Sequence, residues 1–583
     1  MSTSAHGLRD EPIVLGPLLR MVTTSTASVW VQTARGGVVT VRAGERRWSA
    51  PTFRVLEFHY ALVVCDGLEP GTSVEYEVLL DDERVWPQPD SDLPPPRLST
   101  LDPDRPLRLA FGSCRTSVPH DAAGNASNGV DALRAYALDA LTKDRDEWPT
   151  MIAFLGDQVY ADETSDAMRE FIDQRRGLDE PPGEELKDYT EYAHLYRLAW
   201  SDPVNRWLLA SVPSVMIFDD HDVRDDWNTS RDWHREMNEL PWWHDRIVGA
   251  LSSYWVYQHC GNLSPDDLAA DQIWQLIAGH DPAAGECDVT EVVMSLAERV
   301  DKDPTVYRWS YTVDLAPNRL VMIDSRAARD LDPDNRRMLD ADEMRWLQTQ
   351  LTGDVENLFL GTSLPFLLLP GIHDLEALNE AMSQGAWGRA AAWLGERVRR
   401  AVDLEHWAAF QDSFHEVYDA VVEVATGRRG TPPRTITFLS GDVHNSFVAS
   451  LPEDALGSGA SRVLQAVCSP IRNPLPRFIR AGHTLAARRL AAPMHFIVKR
   501  TKKVTEPEHR WKILGPWFDN NLATVIVQPD GLELRWESGV IDDEQTQTPR
   551  LELVSRVMVT TEGDDEISEN VGSPEAGLES SGR

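Results

Sequence analysis

Cysteine is scarce in this chain. Its five copies, at positions 65, 114, 260, 287 and 468, are too few, too scattered and odd in number for a disulfide framework, and a reducing compartment suits them. Positive charge is also short: 57 Lys and Arg face 93 Asp and Glu, a formal charge of −36. That balance excludes a general nucleic-acid binder, whose phosphate affinity needs clustered cations, and fits solubility or cation attraction instead. Long apolar runs are missing, since no stretch approaches the roughly 20 residues of a membrane span. Met1 to Arg20 has neither the apolar core of a secretory signal nor a twin-arginine leader, so a cytoplasmic protein is expected, or a secreted one if a leader has been removed. No internal repeat is evident.

What is present is a long chain with two textures. Its 583 residues exceed one ordinary domain, so a large catalytic domain with an accessory domain is expected. Residues 11–87 read as a small β-sandwich of short strands: Ser28 to Gln32, Val38 to Arg42, Arg54 to His59, Tyr60 to Val64 and Val74 to Leu80. Leu68 to Val78, with its Pro70-Gly71 turn before a strand carrying Tyr76, is similar to the late-strand signature of fibronectin type III domains. Residues 88–106, including Pro94-Pro95-Pro96, read as a stiff linker. Residues 107–560 alternate strand and helix, the pattern of an α/β domain, and the acidic 561–583 is expected to be disordered.

Six apolar runs in the α/β region end in polar residues. Leu107 to Phe111 precedes Gly112-Ser113-Cys114-Arg115. Met151 to Leu155 precedes Gly156-Asp157-Gln158-Val159-Tyr160, and Val215 to Phe218 precedes Asp219-Asp220-His221-Asp222. Leu320 to Ile323 leads into Asp324-Ser325-Arg326, Leu358 to Leu360 into Gly361-Thr362-Ser363, and Ile436 to Leu439 into Ser440-Gly441-Asp442-Val443-His444. Ligands in α/β folds gather outside the carboxyl ends of strands, so this repetition predicts one shared site. The helix after the first run has Leu133, Ala137 and Leu141 on one face. Asp340 and Glu343 predict a capping box ahead of Met344, Leu347 and Leu351. Helical insertions at Tyr189 to Leu209, Trp233 to Val300 and Leu375 to Thr426 are expected to wall the site.

The residue types at these ends suit a pair of metal ions. Asp157 and Tyr160, three apart in a turn leading into a helix, and Asp442 and His444, two apart, can each face one point. A carboxylate bridging two cations, with an imidazole on one and further carboxylates on the other, arms a water for displacement at phosphorus. Cys114, Tyr160 and an imidazole suit a transition metal such as ferric iron, whereas an all-oxygen set suits calcium, magnesium or manganese. The carboxylates around His221 favour its imidazolium, which could protonate a leaving alkoxide. Arg115 and Arg326 are candidate phosphate clamps, and Thr362 or Ser363 could touch substrate.

Each of these has a plainer alternative. Cys114 could be a buried small residue, the role given to the other four cysteines. Tyr160 could be a core aromatic, His221 and His444 satisfied core histidines, and Arg326 half of an ion pair. The basic stretch Arg477 to Lys503, with apolar residues interspersed, could meet an anionic surface weakly or join an internal ion-pair belt. The order of the strand-end motifs favours function for the first four.

With Phe111-Gly112-Ser113-Cys114-Arg115, Gly156-Asp157-Gln158-Val159-Tyr160-Ala161-Asp162, Asp219-Asp220-His221-Asp222 and Gly441-Asp442-Val443-His444 in order, the chain resembles the PhoD-type alkaline phosphatases of the calcineurin-like metallophosphoesterase superfamily. The resemblance implies an αββα sandwich behind an immunoglobulin-like domain. It implies Fe3+ held by Cys114, Asp157, Tyr160 and His444, and Ca2+ held by Asp157, Asp442 and the acids beginning at Asp220, with Asp225 and Asp226 as alternatives. Mn2+, Mg2+ or Zn2+ could substitute, and His221 matches the superfamily's catalytic histidine. Arg115 stands where Gln is often seen, Asp222 replaces the usual Glu, and no histidine follows Gly361. Hydrolysis of phosphate monoesters or diesters is the implied activity, with lipid or polymer diesters as one alternative and a non-catalytic binding protein as another.

Overall fold

The computed structural model describes residues 11–560 apart from 333–334, 402–403, 453, 476–479, 481–490, 502 and 543–546, together with 568–570. Two sheets form the N-terminal sandwich. One runs Ile13–Val22, Ala27–Thr33, Phe58–Cys65 and Phe53–Val55, and the other Arg46–Pro51, Val38–Ala43, Glu77–Leu80 and Glu83–Trp86. The strand expected over Arg54 to His59 is broken by a turn at Leu56, whose φ of 51° reverses the chain into a hairpin.

This sandwich does not stand apart. Cys287–Asp288, from the helical insertion of the larger domain, pairs in parallel with Phe53–Val55 and becomes the fifth strand of its first sheet. Arg20 is fully buried and donates to Ser214 Oγ at 3.1 Å, Gln258 O at 2.6 Å and Asn262 Oδ1 at 2.8 Å. These three bonds tie the sandwich to the domain behind it and offset much of the cost of burying the guanidinium, whose Nε finds no partner among the described residues. Tyr76 likewise donates to Ala210 O at 2.9 Å. The Pro-rich segment is no free spacer: Arg97–Ser99 pairs with Ser73–Glu75, and Arg145 clasps Ser73 Oγ and Ser99 Oγ.

Two seven-stranded sheets build the α/β domain. The first runs Ser214–Ile217, Met151–Leu155, Arg108–Gly112, Asn521–Gln528, Gly531–Val540, Arg550–Thr560 and Ser568–Asn570. The second runs Tyr311–Leu315, Asn318–Ile323, Asn357–Thr362, Thr435–Ser440, Arg462–Val467, Ser446–Ser450 and Lys512–Trp517. The six strands read from sequence are parallel within each sheet, three in the first and three in the second.

Side-chain alternation explains the stacking. Leu320, Met322, Phe359, Leu439 and Leu464 face the first sheet, sharing a core with Leu109, Phe111 and Leu155. Their neighbours Val321, Ile323, Leu358, Leu360, Ile436 and Phe438 face the other way, onto Met344, Leu347, Phe414 and Val417 of two covering helices. Strands buried on both faces must be apolar at every position, which is why they read as continuous runs rather than as alternating ones. Each fully buried Leu or Phe contributes about 2 kcal/mol. The helix Ala132–Ala140 covers the other face of the first sheet, completing the αββα order.

Three local expectations change. No helix begins at Tyr160, since the chain after Asp157 stays irregular until the helix Asp166–Arg176. The capping box is half made: Asp340 accepts from the amides of Asp342 and Glu343, but the Glu343 carboxylate turns to the Ser310 amide. Within the tail expected to be disordered, Ser568–Asn570 pairs with Arg550–Thr560, and the remainder of 561–583 lies outside the described residues.

Candidate metal centre

The carboxyl ends of the parallel strands meet where the two sheets face each other. The Arg115 amide donates to Asp157 O at 3.1 Å, Gly441 N to Ser363 O at 2.9 Å and Asp442 N to Ser113 Oγ at 3.0 Å, joining strand ends from both sheets. Gly441 is required by this approach, because a β-carbon there would lie 1.9 Å from Ser113 Oγ. Cys114, Asp157, Asp442 and His444 all have left-handed backbone, with φ of 58°, 48°, 63° and 48°. Non-glycine residues seldom adopt this conformation, and a cluster of them marks a site where side-chain aim outweighs local comfort.

Two groups of donor atoms result. Atoms of Cys114, Asp157 and His444 lie within 4.8 Å of one another, as do atoms of Asp157, Asp219, Asp220 and Asp442. Asp157 belongs to both. Its Oδ2 is 3.3 Å from Cys114 Sγ and 3.3 Å from the Tyr160 hydroxyl. Asp157 Oδ1 and Asp219 Oδ2 are buried and have no hydrogen-bond partner among the described residues. Buried carboxylate oxygens left bare are costly, and cations in the two groups would satisfy them. The donor chemistry therefore fits two metal ions, the first facing sulfur, phenol, imidazole and carboxylate, the second facing carboxylates alone.

The electrostatics point the same way. Burial, then neighbouring carboxylates, pushes Asp157 well above the usual carboxylate range, although His221 opposes it. Burial likewise raises Asp219 far up and Asp220 to about 6, against the pull of Arg326. Burial and then nearby carboxylates raise the Cys114 thiol, and the Tyr160 phenol rises by burial and then by Cys114 and Asp157. Such groups hold protons when alone and release them to a bound cation. Asp442 is the exception: burial would raise it, but hydrogen bonding to His406 holds it below the usual value.

His221 sits beside the shared carboxylate. Its Nδ1 is 2.9 and 3.1 Å from the two Asp162 oxygens, and its ring lies 4.6 Å from that of Tyr160. Burial alone would lower its pKa, but Asp162 and then Asp220 and Asp157 raise it well above the ordinary value. Asp162 is correspondingly held down, to about 2, by His221 against its own burial.

Other expected residues are placed differently. Arg115 is not aimed at the site: Nε and one terminal nitrogen bind Asp131 at 3.0 and 2.7 Å, and the other binds Ala199 O at 2.7 Å. Arg326 is a buried ion-pair hub that contacts Asp219, Asp220 at 3.0 Å and Glu405 at 2.5 Å, so it steadies the carboxylates rather than presenting a free fork. Ser363 is fully buried, its hydroxyl bonded to Ser325 at 2.8 Å, and Thr362 bonds the same hydroxyl. Asp222 accepts from the amides of Asp219 and Val159 and shapes the loop. Of Asp220, Asp225 and Asp226, only Asp220 joins the donor group.

Sequence reasoning missed Asp162, Asp219, Glu405 and His406. The first two lie inside motifs already quoted, where one more acid carried no distinguishing mark. Glu405 and His406 come from the helical insertion, beyond any strand end. His406 Nε2 is 3.1 Å from Asp442 Oδ2, while Nδ1 is 2.6 Å from Glu376 Oε1.

A cavity of about 1090 Å³ opens beside Asp162 and Asp225, walled by Arg224, Trp233, Trp393 and Arg397. The second and third insertions contribute Trp233, Trp393 and Arg397 to this wall, and the first, Tyr189 to Leu209, contributes nothing to it.

Comparison with known proteins adds to this geometry. Residues 134–477 match the family model described as PhoD-like phosphatase, and residues 10–98 match one described as a domain of unknown function, DUF7800. No curated protein matches. The solved structure of PhoD aligns over 94% of this chain and 91% of that one, with a TM-score of 0.58 and 14% identity, and so shares the fold. A maltogenic amylase from S. marinus aligns with a TM-score of only 0.16, at 8% identity over 94% of this chain and 82% of that one, and carries no argument.

Proposed function

The chain belongs to the PhoD-like phosphatase family, and from that premise we propose that it hydrolyses phosphate esters at a two-metal centre. The observation that carries this reading is Asp157, shared between the Cys114 and His444 group and the Asp219, Asp220 and Asp442 group. Cys114, Asp157, Tyr160 and His444 would hold the first metal, with Fe3+ the best match to their donors. Asp157, Asp219, Asp220 and Asp442 would hold the second, with Ca2+ or another hard divalent ion the best match. Bound there, the pair supplies Lewis acidity toward phosphoryl oxygens and a water nucleophile at neutral pH.

The chain's own residues do the rest. Asp162 holds Nδ1 of His221, so Nε2 is the nitrogen left to bond a phosphoryl oxygen or to give a proton to the leaving alkoxide. Arg326 and Glu405 keep Asp219 and Asp220 in place as charge shifts. Diesters are a second reading, favoured by the wide cavity that opens at Asp162, the partner of His221.

Metal analysis with a visible spectrum tests the centre. Iron with a second metal, and a visible band that Tyr160→Phe removes, would support it. Protein that stays colourless and inactive when iron and calcium are supplied would overturn it in favour of a binding role. Comparing a mono- with a bis-nitrophenyl phosphate separates the two ester classes.

A further inference from the structure

Acids outnumber bases across the chain by 93 to 57, yet residues 477 to 503 contain eight Lys or Arg and no Asp or Glu. Of this stretch, 477–479, 481–490 and 502 lie outside the described residues, while Ala491–Val498 is a helix. It packs on the helix Pro370–Ser383, which also carries the helix Arg389–Ala401. Lys503 Nζ donates to Gln384 O at 2.6 Å, bringing the end of the basic stretch to the turn between the other two helices.

These helices expose large apolar side chains. Trp393 is 62% exposed and Phe496 59%, with Leu394 and Ile497 also open, as is Trp387 in the turn before Arg389–Ala401. Such exposure stands out in a chain that buries most of its tryptophans. Cations are interleaved with them: Arg397 lies over the Trp393 ring at 4.9 Å and Arg500 over Phe496 at 3.5 Å. Arg389, Arg397, Lys499, Arg500 and Lys503 form no ion pair with any described residue, although carboxylates are abundant elsewhere on the surface. Lys499, Arg500 and Lys503 therefore join no ion-pair belt among the described residues.

We propose that the face formed by the helices Arg389–Ala401 and Ala491–Val498 docks the protein on an anionic lipid bilayer. Aromatic rings and aliphatic side chains enter the headgroup boundary while Lys and Arg stay at the phosphate level, the arrangement an interfacial helix needs. The charge is complementary to an anionic leaflet and opposite to that of the protein as a whole, which fixes the orientation of approach. Trp393 and Arg397 also line the cavity beside Asp162, so the docking face adjoins that cavity.

Vesicle flotation of the full chain tests this without any hydrolysis, so its failure is separate from that of the proposed activity. Wild-type protein is expected to float with vesicles of phosphatidylcholine and phosphatidylglycerol but not with phosphatidylcholine alone, and added salt should release it. Lys499→Glu with Arg500→Glu should weaken binding by more than about tenfold, at about fivefold per cation removed. Trp393→Ala with Phe496→Ala should weaken it as well. Arg345→Glu, on another helix, is the control and should bind as wild type. All these side chains are exposed, and unchanged thermal melts would show that folding is retained. No binding by wild type, equal binding to both vesicles, or no loss in both double variants overturns the proposal.

Discussion

Nδ1 of His221 lies 2.9 Å from Asp162 Oδ1, and this contact decides which ring nitrogen a substrate can meet. The carboxylate also raises the affinity of His221 for its proton, which suits the ring to act as an acid. Asp162→Asn should keep the metal content while lowering kcat by about 10- to 100-fold, the usual cost of removing an orienting partner. Metal analysis beside steady-state kinetics checks both halves.

Asp157 and Asp220 should differ in what they lose. Asp157→Asn removes the shared carboxylate and is expected to deplete both metals, whereas Asp220→Asn should deplete only the second. Elemental analysis of the two purified variants reads this directly, and equal losses would contradict a bridging Asp157.

Arg115 gives a test of a corrected role. Its guanidinium neutralises the buried Asp131, so Arg115→Ala strands a charge and should cost about 3 kcal/mol of stability. Substrate KM should barely move, where a phosphate clamp would raise it strongly. Denaturant unfolding and kinetics separate the two.

His259 should make the protein acid-sensitive. Burial, with Arg308 and Arg20 nearby, depresses it to about 3. The unfolded chain takes up this proton near pH 6.5 and the folded one only near 3, so stability is full above about 6.5 and falls as pH drops between those values, by up to about 5 kcal/mol. His259→Phe should flatten the dependence of Tm on pH in that window.

The strand-end pattern made Cys114, Asp157, His221, Asp442 and His444 legible because a parallel sheet collects its carboxyl ends at one place. It could not tell which way a polar side chain turns once the strand stops. Arg115 and Ser363 follow strands in the same way as Cys114 and Asp442 do, yet they face inward partners. The four left-handed residues are likewise invisible in sequence, since only glycine announces that backbone region. His406 reaches Asp442 from 36 residues away through an insertion, and no local pattern encodes such a meeting. The sandwich was readable from turns and short strands, but its last strand was not, because Cys287 and Asp288 are too short a run to register.

That borrowed strand has a consequence for synthesis on the ribosome. The first sheet of the sandwich has its own last strand by Cys65, but its closing edge arrives only with Cys287. At about 5–20 residues per second, the nascent chain waits roughly 10–45 s with the edge at Phe53–Val55 unpaired. An open edge is a template for the wrong partner, so slow translation or a ribosome stall between these positions should favour association of neighbouring nascent chains.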